Sequence, residues 1–144
     1  MYKPSFQEIE WQRSIIDEER DPFIIRFYYN DKSTLYGFVA KGETGFTQYG
    51  LDIIAAGVSA LIINTMHSLE YLTKDHMEAD LQKNYCKCIL TGLQTKNRAS
   101  KEAIVLLQSL EIGIQSLQNT YGEKYITIEK IYEKQKAGLF NLFK

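Results

Sequence analysis

Residues 51–72 read Leu51-Asp-Ile-Ile-Ala-Ala-Gly-Val-Ser-Ala-Leu-Ile-Ile-Asn-Thr-Met-His-Ser-Leu-Glu-Tyr-Leu72 and predict one long helix. Ile53, Ile54, Ala55, Ala56, Val58, Ala60, Leu61, Ile62 and Ile63 make it apolar on almost every side. A helix of that kind belongs in the middle of a domain or beneath an oligomer partner. Ala55, Ala56, Gly57, Ser59 and Ala60 are small, so other backbone can pass close to its first turns. Asp52 stands where a carboxylate satisfies first-turn N–H groups.

Upstream of this helix lies a glycine-punctuated loop, residues 41–50. Before the loop, Phe23–Tyr29 and Thr34–Ala40 are aromatic and β-branched, around the turn cluster Asn30-Asp-Lys-Ser33. They predict an antiparallel hairpin. Downstream, His76–Leu81 and Tyr85–Leu90 alternate around Gln82-Lys-Asn84 and predict a second strand pair. Ala103, Leu106, Leu107, Leu110, Ile114 and Leu117 then recur at helical spacing. Ser100 is the natural N-cap of that helix, Glu102 sits in its first turn, and Gly122 is its stop after Tyr121. Tyr125–Ile128 is a last strand. The order ββ-α-ββ-α-β predicts an α+β fold: a single domain with a mainly antiparallel sheet and helices packed on one face. The domain is drawn over residues 22–130. Residues 1–21 are expected to form an N-terminal arm, with Trp11, Ile15 and Ile16 on one face of a short helix, and 131–144 a C-terminal tail.

The composition agrees with this organisation. A chain of 144 residues, 44% hydrophobic and 24% charged, has the length of one domain with a substantial core. It is neither a disordered chain nor a disulfide-dense mini-protein. Seventeen basic residues against 18 acidic ones give no electrostatic case for a nucleic-acid partner. No unbroken apolar run has membrane-spanning length, and the first residues lack the apolar stretch of a secretory signal. No membrane association and a cytoplasmic location are expected.

Several chemical motifs fail on their own terms. Gly45 and Gly50 have the spacing of a phosphate loop, but Leu51 and Asp52 stand where Lys and Ser/Thr would hold phosphate and magnesium. Ser59 in Gly57-Val-Ser-Ala60 falls inside a helix, not on the strained turn a nucleophile elbow needs. Glu43 and Asp52 bracket one loop as an acid/base pair would, yet loop and cap carboxylates are common. Cys86 and Cys88 share one strand face, too close in sequence for an unstrained disulfide, and read as reduced apolar residues. With only His67 and His76 as imidazoles and no ligand spacing, neither a metal nor any other cofactor is expected. His67 shares a helix face with Tyr71 and reads as a structural histidine.

The stretch Gly42-Glu-Thr-Gly-Phe-Thr-Gln-Tyr-Gly-Leu-Asp-Ile-Ile-Ala-Ala-Gly-Val-Ser-Ala-Leu61 resembles the signature of the ribosomal-processing cysteine protease family. That signature runs G-H-A, a short loop ending Y-G-x-D-I, then V-C-A-x-x-S-A. Gly42, Tyr49, Gly50, Asp52, Ile53, Ala56, Ser59 and Ala60 fall on it without a gap. Residues 102–115 resemble the family's second helix, and the resemblance covers about residues 23–130. It implies a bacterial homodimeric α+β protease that trims an N-terminal extension from a large-subunit ribosomal protein. Phage relatives act on capsid or scaffold proteins. A mobile glycine-rich loop closes over substrate, which implies loop or groove roles for Gly42, Gly45, Tyr49, Gly50, Asp52 and Ser59. The family dyad is the His of G-H-A and the Cys early in the first helix. Glu43 and Ala55 occupy those positions here, so no catalytic residue is intact. A cysteine protease needs a thiolate favoured by a nearby imidazolium and a helix N-terminus. Ala55 supplies a methyl group, and Glu43 supplies an anion at neutral pH.

Three readings follow. The first is a non-catalytic relative that binds a ribosomal-protein extension, a capsid protein or an active paralogue. The second is a peptidase of altered chemistry, through Glu43 and Asp52 or through Cys86 or Cys88. The third is an assembly protein working through its tail, where Leu139, Phe140, Leu142 and Phe143 need burial.

Overall fold

The computed structural model describes residues 22–42 and 53–134. The arm at 1–21, the loop at 43–52 and the tail beyond 134 lie outside the described residues, and with them Glu43, Gly45, Tyr49, Gly50 and Asp52.

Phe23–Tyr29 forms strand β1 and Leu35–Lys41 strand β2, paired antiparallel with Phe27 opposite Phe38 and Ile25 opposite Ala40. Alternation places Phe23, Ile25, Phe27 and Tyr29 in the core and leaves Ile24, Arg26 and Tyr28 half-buried on the other face. Asn30 makes the turn between the two strands. Its Oδ1 accepts from the N–H groups of Lys32 and Thr34, and its Nδ2 donates to the Leu93 carbonyl and to Asn97 Oδ1. The turn residue is thereby fully bonded at 2% exposure.

Helix α1, Ile53–Leu72, meets the sheet side of the core, where Met66 reaches Cys86. Strands β3 (Met77–Gln82) and β4 (Tyr85–Leu90) follow as an antiparallel pair, and β4 docks on β2. A short helix α2, Thr91–Lys96, leads to the long helix α3, Lys101–Tyr121. Sequence periodicity missed α2 because six residues hold too few turns to show a stripe. Its one buried anchor is Leu93. Strand β5, Ile126–Tyr132, closes the sheet in the order β3-β4-β2-β1-β5.

β5 runs parallel to β1, so the sheet is mixed. The strand also extends past the expected Ile128 and past the domain boundary drawn at 130. Tyr132 stacks on Tyr29 with ring centroids 4.3 Å apart, and the Glu133 N–H donates to the Tyr29 carbonyl. These long-range contacts extend the strand over Glu129-Lys-Ile-Tyr132, beyond the stretch read as strand from the sequence.

The helices cover one face. Ile54, Val58, Ile62 and Leu69 of α1 and Ala103, Leu107, Leu110 and Ile114 of α3 are buried in one cluster with the inward strand residues. The other face carries the ion pairs Arg26–Glu129 (2.6 Å) and Lys87–Glu78 (3.8 Å). α1 and α3 run antiparallel. Leu117 sits against Gly57 and Leu61 against Gly113, so the contacts advance along one helix as they retreat along the other. By length and composition α1 is also apolar enough to cross a membrane, with mean hydropathy 1.3. Asn64, Thr65 and His67 interrupt its apolar run, and 44% of its most apolar stretch is buried in this fold.

Candidate functional site

The site is framed by the two chain ends that flank residues 43–52. On one side is Gly42, at the end of β2. Its N–H donates to the Asn84 carbonyl at 3.2 Å. A side chain there would meet the Phe23 ring, since a Cβ atom would lie 2.1 Å from Phe23 Cδ1. Glycine is therefore required where Phe23 presses against the chain. Phe23 and Asn84 are the stem residues that sequence reasoning missed. The pairing of strand ends that brings them to Gly42 leaves no mark on local sequence.

On the other side is α1. Ala55 is its third residue and is 3% exposed. Ser59 follows one turn later on the same face, 7% exposed, and its Oγ has no hydrogen-bond partner among the described residues. Ile62 and Met66 continue that face, as spacings of three and four residues require. Ser59 lies within the helix, as its sequence context suggested, and not at a strained turn.

The remaining nucleophiles and imidazoles are engaged elsewhere. Cys86 and Cys88 are free thiols on β4, both 0% exposed. Burial pushes each thiol up to about 12 from the ordinary 9.0, and the neighbouring Cys88 and Asp80 charges add to the effect at Cys86. A thiol of that kind stays protonated at neutral pH and is a poor nucleophile. His67 is exposed on α1 beside Tyr71, with ring centroids 5.9 Å apart. It lies three turns or about 18 Å along the helix from Ala55. His76 Nδ1 lies 2.8 Å from Thr91 Oγ1. No group of three metal-ligating side chains occurs among the described residues. The described part of the site thus offers a glycine stem, a buried helix face with one unbonded hydroxyl, and no activated nucleophile.

Comparison with known proteins agrees with this architecture. The family model for the cysteine protease Prp matches residues 24–127, a span that includes positions 43 and 55. The ribosomal processing cysteine protease Prp of Staphylococcus aureus is 24% identical over 94 residues, covering 65% of this chain and 86% of that protein. Among solved structures, SMU.848 from Streptococcus mutans superposes with a TM-score of 0.62 at 23% identity, covering 78% of this chain and 97% of that one. The essential ribosomal processing protease Prp from S. aureus, solved in complex with a substrate peptide, gives 0.62 at 19% identity and covers 75% of this chain and 98% of its own. With a family match over most of its length and the same fold, this chain belongs to the cysteine protease Prp family.

Proposed function

We propose that this protein is a non-catalytic member of the Prp family that holds a peptide without cutting it. It acts as a dimer in the cytoplasm. The observation that carries the reading is Ala55, a methyl group at the helix position where the family resemblance places the attacking sulfur. In a serine protease, loss of the nucleophile costs on the order of 10⁶ in turnover. Neither remaining thiol compensates, since Cys86 and Cys88 are fully buried on β4 and pushed up to about 12. The S. aureus relative has been solved both with a substrate peptide and with a covalently linked product peptide. The first state asks only for a groove. The second asks for a nucleophile, which Ala55 lacks. The ligand class is therefore an extended peptide, such as the N-terminal extension of a large-subunit ribosomal protein.

The test uses a fluorescent peptide carrying that extension. Anisotropy reads binding, and mass spectrometry of the same samples reads cleavage. Saturable binding with intact peptide is expected. Hydrolysis by contaminant-free protein would overturn the reading, as would absence of binding. The double substitution Glu43→His with Ala55→Cys is expected to confer cleavage where the parent shows none.

A further inference from the structure

We propose that the C-terminal tail, residues 135–144, folds back onto the face of the sheet away from α1 and α3. There it seats Leu139, Phe140, Leu142 and Phe143 on an aromatic patch beside the end of β5. The inference goes beyond the peptide-holding reading and is independent of it. Four observations carry it.

The first is strand pattern. Parallel strand pairs are ordinarily covered on both faces and read as continuous apolar runs. β1 pairs parallel with β5 and reads Phe-Ile-Ile-Arg-Phe-Tyr-Tyr, with Arg26 as its one charged residue. α1 and α3 cover its inward side alone. On the outward side Ile24 and Tyr28 are half-buried, and Ile131, the register partner of Tyr28 on β5, is 40% exposed.

The second is the patch itself. The β1–β2 register passes from Tyr28–Gly37 to Tyr29–Leu35, so Tyr36 is an extra residue in β2. This bulge turns its ring to the outward face, where the Tyr36 and Tyr28 ring centroids are 6.1 Å apart. Ile89 of β4 lies over Gly37, where a Cβ atom would sit 2.6 Å from Ile89 Cδ1. Tyr28, Tyr36, Ile89 and Ile131 thus form one patch across the adjacent strands β5, β1, β2 and β4. Tyr36 and Ile89, each 5% exposed, are its floor, and Tyr28 and Ile131 its open rim.

The third is the root of the tail. The family match ends at residue 127, yet β5 runs on to Tyr132. The Glu133 N–H then donates to the Tyr29 carbonyl, and Glu133 Oε1 accepts from the Tyr36 hydroxyl at 2.8 Å. Since β1 lies between β5 and β2, that second hydrogen bond draws the departing chain across the outward face toward the patch.

The fourth is reach. Leu139 is five residues past Lys134, which is about 17 Å of extended chain. Two strand spacings are about 10 Å, so the patch is within range. A segment tethered this closely has an effective concentration on the order of mM, ahead of a dissolved partner of the same chemistry. Four large apolar residues among the ten of the tail require such a cover. The N-terminal arm is the competing occupant. It joins the sheet at Phe23, at the far end of β1, roughly 20 Å from Tyr29. Its residues nearest β1 are Asp17, Glu18, Glu19, Arg20 and Asp21, which do not suit an apolar patch. Gly42 also lies at that far end, since Ile24 is opposite Lys41, so a seated tail leaves the peptide site open.

The test is paramagnetic relaxation enhancement on the full chain with a nitroxide at Asn141→Cys. Cys86 and Cys88 are buried and leave the label to position 141. Loss of most of the amide signal is expected at Tyr28, Ile89 and Ile131, while Val105 and Ile112 on α3 keep theirs. Isotope-labelled protein without the added cysteine, mixed with spin-labelled protein, is expected to show no broadening. Broadening in that mixture alone assigns the patch to the tail of a second copy and overturns the proposal. Absence of broadening on the outward face overturns it, as does broadening there from a label at Ser14→Cys but not from position 141. Ile131→Glu is expected to release the tail, abolishing the broadening and speeding tryptic cleavage after Lys136 about tenfold or more, the worth of one buried apolar side chain. Leu81→Glu on β3 is the control and is expected to change neither. Should Ile131→Glu fail to fold, Leu139→Ser with Phe143→Ser is expected to release the tail from the other side of the contact. Unchanged broadening and cleavage in the released variants overturn the proposal. Peptide binding, read separately by anisotropy, is expected to be the same in all of them, so this inference and the peptide reading fail independently.

Discussion

The Cys86 thiol is aimed at the thioether of Met66, with 3.1 Å between the two sulfurs. This contact joins β4 to α1, on the helix face that Ala55 and Ser59 share. It makes Cys86 a packing residue whose weak S–H donor already has an acceptor. Thiol-reactive reagents are therefore expected to leave native protein unmodified at pH 8 and to label two cysteines after denaturation. Fast labelling of folded protein would reopen a thiol mechanism. Linkage has a definite sign here. The folded thiols sit at about 12 against an ordinary 9.0. Their contribution to stability is full below pH 9 and is lost as pH rises through about 12.

Tyr36 sharpens the same alkaline edge. Burial, and then its hydrogen bond to Glu133 Oε1 at 2.8 Å, push its hydroxyl from 10.0 up to about 12. The neutral phenol is favoured in the fold, so stability present below pH 10 is lost as pH rises toward 12. Tyr36→Phe should lower stability at neutral pH by about 1 kcal/mol, the net worth of one hydrogen bond. It should also flatten the decline between pH 10 and 12, followed by urea denaturation at several pH values.

Asp75 and Ser100 set the acid edge. Ser100 caps α3 by accepting from the Ala103 N–H, while its own hydroxyl and N–H donate to the Asp75 carboxylate. Burial alone would raise the Asp75 carboxyl. The hydrogen bonds from Ser100, joined by those from Thr73 and the Asp75 backbone, together outweigh it and hold the group below its ordinary 3.8. That stability is present above the unfolded value and is lost as pH falls through the folded one. Ser100→Ala should cost about 1 kcal/mol, in the range of N-cap losses. Asp75→Asn should remove part of the acid dependence below about pH 4, measured by thermal melts from pH 2 to 7.

Two glycines should respond in opposite directions to the same methyl group. At Gly57 in α1 a Cβ would lie 3.4 Å from the Leu117 methyls, which is ordinary contact. Gly57→Ala should therefore stabilise the protein by about 0.5–1 kcal/mol through helix propensity. At Gly37 in β2 a Cβ would lie 2.5 Å from the Cys88 carbonyl oxygen and 2.6 Å from Ile89 Cδ1. Backbone must move there, so Gly37→Ala should destabilise by about 1–3 kcal/mol. Equal effects at both sites in chemical denaturation would contradict the packing described here.

Much of the domain was legible locally. The alternation of Phe23–Tyr29, the helical stripe from Ala103 to Leu117 and the Ser100 cap each act over a few residues, and each lies where the sequence placed it. The Gly37 requirement was not legible, because the Cys88 carbonyl that excludes a side chain is 51 positions away. Neither was the stem at Gly42, held by Phe23 and Asn84. The continuation of β5 to Tyr132 likewise depends on Tyr29, which is far away in the chain.

Sequence by itself determined which side chains this protein possesses: an alanine at position 55, a glutamate at 43 and two cysteines, all fixed by covalent identity before any folding. It also determined the order of the five strands and the two long helices, because hydrophobic period and capping operate within one element. Tertiary structure alone decided what those side chains are able to do. It buried Cys86 and Cys88, and so raised the cost of ionising them. It aligned β5 parallel to β1. It also gathered Tyr28, Tyr36, Ile89 and Ile131 into one patch on the outward face of the sheet, since neighbours across strands are set only by strand order and register.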